Sequence, residues 1–339
     1  DEWHAALTKI KGQDLNGNGT TDEWPFSPWK DNSFRGGFNN HAFVGAWGVT
    51  TGFYQDKGTV KFGPLQPEFK EFLATMVAWY KEGLIDPDTI SFDQKAYDAK
   101  MTGGTMATGV MNVGGGIGKF MGLMQEKDPN FKLVGVPYPV LKAGETPQLG
   151  QRDNVFPGNG AAITGSNKHV EESVRLLDYA YSTEGGLLFN FGVEGLSYKM
   201  VNGYPTYTDL LMHNPDGLPV AQAMAANIRG NSSGPFVQDK RYVEQYFQLP
   251  VQQDAYKIWQ QPTNEKQMPP VTPSMDESRR FAKIMGDINT RFDEVFAKVL
   301  TGAQPVDSWD TFLAEMQQLG IEEATQIQQA ALERYNKRA

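Results

Sequence analysis

The chemistry most plainly written in this chain lies in the stretch Asp14-Leu15-Asn16-Gly17-Asn18-Gly19-Thr20-Thr21-Asp22-Glu23. Oxygen-bearing side chains fall at positions 1, 3, 5 and 9, and Gly19 stands at position 6, where a calcium loop makes its sharp turn. A hard divalent cation takes six to eight oxygens, and the alternating spacing turns every second side chain inward. Thr20 at position 7 offers a backbone carbonyl. Position 12 is Pro25 where an EF-hand carries Glu, so Glu23 at position 10 takes over as the acidic closing ligand. The spacing therefore predicts a Ca2+ site built from Asp14, Asn16, Asn18, Thr20, Asp22 and Glu23; the plainer reading is a polar turn rich in Asx residues. A single loop rather than a pair points to a structural clip, not a sensor.

Catalytic patterns are missing from the rest of the chain. Gly114-Gly115-Gly116-Ile117-Gly118-Lys119-Phe120 has the look of a phosphate loop, but no Ser or Thr follows the lysine and the glycines do not match the dinucleotide fingerprint. It reads as a turn at a strand end, where bare backbone can approach a ligand closely. The four histidines, His4, His41, His169 and His213, are far apart in sequence. There is no cysteine, which removes disulfides, cysteine–zinc sites and thiol nucleophiles. No serine-hydrolase elbow or zinc-protease helix occurs, so no catalytic residue is assigned. The 40 acidic residues against 31 basic ones, a net charge of −9, and the lack of any Lys/Arg run argue against nucleic acid.

The elements that must position these residues alternate. The 339 residues suggest two lobes, and an apolar share of 40% marks a folded globular protein. Trp3, Ala6, Leu7 and Ile10 repeat as one face of an amphipathic helix. Residues 24–58, rich in aromatics, Asn and Gly, carry no period and read as a long structured loop. A helix is predicted at about 66–82 from Phe69, Phe72, Leu73, Met76, Val77 and Tyr80, with Gly83 and Pro87 stopping it. Met106–Val113, Leu133–Tyr138 and Ala161–Thr164 read as short buried strands. Val170, Val174, Leu177 and Tyr181 predict a helix at about 168–182. Residues 202–275 read as short helices joined by loops, and three helices, at about 276–300, 307–318 and 321–336, close the chain. The order indicates an α/β protein. No run of 18 apolar residues occurs, and the chain opens on a helix without a signal peptide, which suggests a processed or truncated product.

Asp14–Glu23 followed by Trp24-Pro25 resembles the calcium loop of extracellular solute-binding proteins of family 1, the sugar- and oligosaccharide-binding components of ABC importers, alginate-oligosaccharide binders among them. Tyr80-Lys81-Glu82-Gly83-Leu84-Ile85-Asp86-Pro87 is similar to that family's signature after its long helix. Leu176-Leu177-Asp178-Tyr179, Thr183-Glu184-Gly185 and Gly192-Val193-Glu194-Gly195-Leu196-Ser197-Tyr198 resemble its middle. Leu300-Thr301-Gly302, Trp309, Leu319-Gly320 and Ala331–Tyr335 resemble its end, so the likeness runs over the whole chain.

The resemblance implies a type II periplasmic-binding-protein arrangement, two α/β lobes with a sugar cleft between them and capture by lobe closure. It implies that 1–150 and 206–339 build the C-terminal lobe, that 151–205 is a surviving piece of an incomplete N-terminal lobe, and that crossings fall near 140–155 and 205. A sugar ring is bound by stacking its C–H face on aromatics while amides and charged groups bond its hydroxyl rim. On the resembling fold the loop carrying Trp29, Phe38, Asn39, Asn40 and Trp47 supplies both kinds of group. Asn112 beside the glycine turn, Arg152 and Asn154 at a crossing, and Glu194 and Tyr198 complete the expected ligand set. The expectation is a monomeric, extracytoplasmic carrier, periplasmic or a cell-surface lipoprotein, that delivers an oligosaccharide to a membrane permease and is no enzyme. The alternative is a calcium-stabilised extracellular polysaccharide hydrolase or lyase.

Overall fold

The structure, a computed structural model, describes residues 1–28, 43–91, 93–124, 127–152, 154–155, 160–230, 232 and 234–338. They form two compact units: Asp1–Val110 with Val136–Asn154 and Ile258–Ala339, and Met111–Gly135 with Val155–Lys257. These divide the chain differently from the expected 1–150, 151–205 and 206–339. One expected crossing window, 140–155, contains a boundary, at Asn154/Val155; the other, near 205, does not.

The first unit begins with α1 (Glu2–Ile10), β1 (Trp24–Ser27), β2 (Phe53–Asp56), β3 (Thr59–Phe62), α2 (Pro67–Lys81), α3 (Gln94–Thr102) and β4 (Met106–Gly109). β1 and β4 pair in parallel with Trp24 opposite Met106 and Phe26 opposite Thr108, while Phe26 also bridges Ile85. The segment expected to be loop over 24–58 thus holds β1 and β2, and β2 pairs antiparallel with β3 through a Lys57-Gly58 turn with positive φ at both residues. The expected strand over Met106–Val113 stops at Gly109, because a π-helical turn starts at Val113.

The second unit holds α4 (Lys119–Met124), α5 (Val170–Tyr179), α6 (Thr183–Phe191), β5 (Tyr198–Val201), β6 (Tyr204–Tyr207), α7 (Asp209–Met212), α8 (Val220–Asn227) and α9 (Lys240–Tyr246), and most of α10 (Pro250–Trp259). β5 and β6 form a hairpin closed at Asn202-Gly203. Its Tyr198 and Tyr207 pack with Phe191, Leu211, Ala223, Met224 and Ile228. The boundary expected at 205 would cut this hairpin, and Gln245 donates to the Pro205 carbonyl and accepts from the Tyr207 amide, so 206–257 stays with it. Helix α5 forms where the periodicity puts it, but none of its residues is buried, and Val170 and Val174 are each 52% exposed. Leu133–Tyr138 and Ala161–Thr164 do not pair as strands among the described residues.

The chain ends in α11 (Met275–Leu300), α12 (Ser308–Leu319) and α13 (Ile321–Asn336). Phe69 of α2 stacks on Trp309 at 5.3 Å and meets Phe292 at 5.8 Å, so the three- and four-residue spacings in α2, α11 and α12 share one aromatic core. A buried Asp86 carboxylate locks the Gly83–Ile90 turn: Lys100 Nζ lies 2.9 Å away, Ser27 Oγ donates at 2.9 Å, and the Asp88 amide donates at 3.0 Å. Asp86 is the aspartate of the stretch Tyr80–Pro87, and this is the turn that it holds. Among the described residues no helix is long and apolar enough to cross a membrane.

Candidate functional site

The oxygen-rich loop joins α1 to β1, and the backbone winds around its side chains. Asp14 Oδ1 accepts from the amides of Gly17 at 2.7 Å and Asn18 at 3.1 Å, and Oδ2 accepts from Gly19 at 2.9 Å. Gly19 takes the left-handed conformation, φ 86°, at the sharp turn. Asn16 Oδ1 accepts from the Asn18 amide at 3.0 Å, Asn18 Oδ1 accepts from the Thr20 amide at 2.7 Å, and the Thr20 hydroxyl reaches Asp22 Oδ1 at 2.8 Å. Asp14 to Asp22 are exposed, whereas Glu23 is 6% exposed. Glu23 Oε1 accepts from the amides of Leu15 at 2.9 Å and Asn16 at 3.1 Å. Its Oε2 is buried with no hydrogen-bond partner.

A buried carboxylate oxygen without a donor is costly unless a positive group meets it. All the side-chain donors of this loop are oxygens, and a hard cation is the group they fit. In the present conformation Asp14 and Glu23 turn to backbone N–H groups, and among the described residues no group of three or more His, Cys, Asp or Glu gathers into a set that could hold a metal.

The expected ligand residues part company. Trp29, Phe38, Asn39 and Asn40 lie outside the described residues. Trp47 ends a 3-10 turn and sets its ring 5.4 Å from Phe72, half-buried against the first unit's core. Arg152 and Asn154 are exposed in that unit, where the Arg152 carbonyl accepts from Gln267. In the second unit Glu194 is exposed and Tyr198 is buried at 5.9 Å from Phe191, so that phenol belongs to the core. Burial first, and the Glu194 charge second, push its pKa up. Asn112 is exposed at the head of the glycine turn, where its carbonyl accepts from the Gly116 and Ile117 amides at 3.0 Å.

What sequence reasoning missed lies beside Asn112. Tyr242, Tyr246, Phe247 and Tyr256 form a row of rings with centroid separations of 6.2, 5.3 and 5.6 Å. Tyr256 is 43% exposed. A Cβ on Gly114 would stand 2.3 Å from the Tyr246 ring, so the absent side chain lets the turn lie directly on an aromatic face. Buried Gln252 fixes the arrangement by donating to the Val113 carbonyl at 3.1 Å. Burial, then Tyr242, push the Tyr246 phenol up to about 12, so it is a neutral hydroxyl at any physiological pH. A row of aromatic faces next to amide groups is the surface a sugar ring uses. The signal was the four-residue spacing from Tyr242 to Tyr246.

Solved structures place the fold. The alginate-binding protein AlgQ2, solved without calcium ion, matches with a TM-score of 0.79 and 25% identity over 98% of this chain and 67% of its own. The Streptococcus pneumoniae ABC-transporter substrate-binding protein FusA, in complex with kestose, matches with a TM-score of 0.72 and 18% identity over 100% of this chain and 68% of its own. An HMO-binding, ABC-transporter-associated solute-binding protein from Bifidobacterium longum infantis matches with a TM-score of 0.69 and 18% identity over 99% of this chain and 69% of its own. No protein-family model matches the chain, and neither does any curated protein. The chain has the α/β, type II fold of ABC-transporter solute-binding proteins. It spans about two thirds of their length.

Proposed function

We propose that this chain is the carbohydrate-binding component of an ABC importer, which takes up an oligosaccharide outside the cytoplasm and passes it to a membrane permease. The observation that carries the reading is the match to the alginate-binding protein along nearly the whole chain, 98% of it, at 25% identity. The two compact units correspond in this reading to the two lobes, with the second unit belonging to the N-terminal one. Within that unit Asn112, Glu194 and the row Tyr242, Tyr246, Phe247 and Tyr256 are the ligand contacts, the rings stacking a sugar face and the amides bonding its rim. Arg152, Asn154, Trp29, Phe38, Asn39 and Asn40 remain proposed ligand residues. Trp47 serves the core of its own unit first. The protein works as a monomer, periplasmic or lipid-anchored, and catalyses nothing.

The loop Asp14–Glu23 binds calcium in this reading, held by Asp14, Asn16, Asn18, Asp22, Glu23 and Thr20. When bound, the ion would supply positive charge to oxygens now held by backbone amides and to Glu23 Oε2, which has no partner. Its role is structural. A ligand that binds the folded state alone stabilises it by about 2.7 kcal/mol at a hundredfold excess over its dissociation constant. The AlgQ2 structure, described as lacking calcium ion, supports the idea that calcium belongs to this kind of fold.

A panel of neutral and uronic-acid oligosaccharides tests the function by calorimetry, with product analysis of each mixture. Saturable binding with the sugar recovered intact is the expected outcome. Release of reducing ends or unsaturated products would transfer the protein to the hydrolase or lyase class, and no binding across the panel would refute the carrier reading.

A further inference from the structure

One contact of the cation loop reaches out of it. Asn16 Nδ2 donates to the Gly104 carbonyl at 3.1 Å, across 88 residues of sequence. Gly104 takes φ +74°, and a Cβ there would stand 2.7 Å from that same nitrogen, so the turn is shaped to receive the amide. Gly104 lies at the end of the turn between α3 and β4. The next residue, Thr105, accepts from the Trp24 amide at 3.0 Å through its carbonyl, and the Thr108 hydroxyl donates to the Pro25 carbonyl at 2.6 Å. Both strands of the β1–β4 pair therefore start from this loop: β1 follows Glu23 directly, and β4 follows the turn that Asn16 holds. The pair leads to Val110, the last residue of the first segment of its unit, where Tyr97 donates to the carbonyl at 2.9 Å.

An amide side chain is planar, with a donor and an acceptor on opposite arms. With Nδ2 fixed on the Gly104 carbonyl, Oδ1 of Asn16 points back into the loop, where it now accepts from the Asn18 amide. An aspartate would bring the oxygen and more charge but no donor for Gly104. Outer contacts that orient a metal ligand tune the site and also connect it to the scaffold. The second, independent sign that a cation completes the loop is the buried, unpartnered Oε2 of Glu23.

Resting on the calcium reading, we infer that Asn16 is a positioning residue that couples cation occupancy of the loop to the order of β4, with Asn required because both arms of its amide are used. The metal then stiffens the β1–β4 pair as well as the loop that holds it.

Hydrogen exchange on the whole chain, with calcium and with chelator, tests this through peptides over the loop and over Thr105–Gly109. Calcium should slow both in the wild type, the strand by about fivefold, the factor expected for securing one hydrogen bond. In Asn16→Asp the loop should still respond and the strand should lose its response. A wild-type loop that responds while the strand does not overturns the coupling and leaves the calcium site standing. A strand response kept in Asn16→Asp overturns the role of Asn16. No response in either peptide overturns the site and the coupling together. The wild-type comparison decides the coupling by itself, and if Asn16→Asp does not fold, Asn16→Ala, which also removes the Gly104 donor, decides the role of Asn16 by the same strand response.

Discussion

Asp14 holds its loop in shape with the same atoms that the proposed cation would use. Its two oxygens take three backbone amides, which holds the turn in shape without metal. Removing it leaves those donors to water and takes away a charged ligand. Asp14→Ala should lower stability by about 0.5–1.5 kcal/mol, the net worth of a hydrogen bond whose freed donors water can meet. More tellingly, the rise in melting temperature expected on adding calcium to chelated wild type should be absent from the variant. A metal-stripped wild type that melts at the same temperature with and without calcium would remove the clip. Glu23 differs in burial: its Oε1 takes two backbone amides, while its buried Oε2 has no donor and is the atom the proposed ion would meet.

Helix α11 carries the architecture of the first unit, and its start is the part most open to titration. Ser274 and Glu277 form a capping box, and Arg334 of α13 closes on the same Glu277 carboxylate. Those bonds, the Arg334 guanidinium first, hold Glu277 down to about 2 from the ordinary 4.5. A depressed carboxyl contributes stability above its unfolded pKa and loses it as pH falls through the folded one. The melting-temperature gap between wild type and Glu277→Gln should therefore be full at neutral pH and close between about pH 4.5 and 2. A gap that stays constant down to pH 2 would show that packing, not the charge, is what the helix start uses. The glycine turn before α4 depends on the opposite kind of fit, a missing atom, because the Tyr246 ring occupies the space of a Gly114 side chain.

At the scale of the molecule, the proposed stacking row and the large aromatic core belong to different units. The first unit has the large aromatic core that α2, α11 and α12 share, and the proposed cation loop is attached to its β1–β4 pair. The second unit has a small core around the β5–β6 hairpin and carries the row of half-exposed rings. If those rings stack the sugar, Tyr246→Ala should weaken oligosaccharide binding by about 1–3 kcal/mol, roughly 5- to 150-fold, the size of losing an aromatic contact. Calcium removal should leave that affinity nearly unchanged while lowering the melting temperature. Equal affinity in wild type and Tyr246→Ala would move the ligand away from this row.

The sequence alone determined whatever is local. The repeats of α2, α11, α12 and α13 are properties of neighbouring residues, and the chain adopts those helices where the pattern predicts; the alternation of oxygens from Asp14 to Glu23 is equally local. Periodicity says which face of a helix is apolar but not what will meet it, so α5 was legible as a helix and not as an exposed one. Strands of four residues carry too little alternation to stand out, which is why β2 and the β5–β6 hairpin were hidden behind their turns. The partition into units, the seat of Tyr246 against Gly114 and the bond from Asn16 to Gly104 join residues far apart in sequence. Such contacts leave no periodic trace, because each is selected by the shape of the folded chain. Tertiary structure alone decided them.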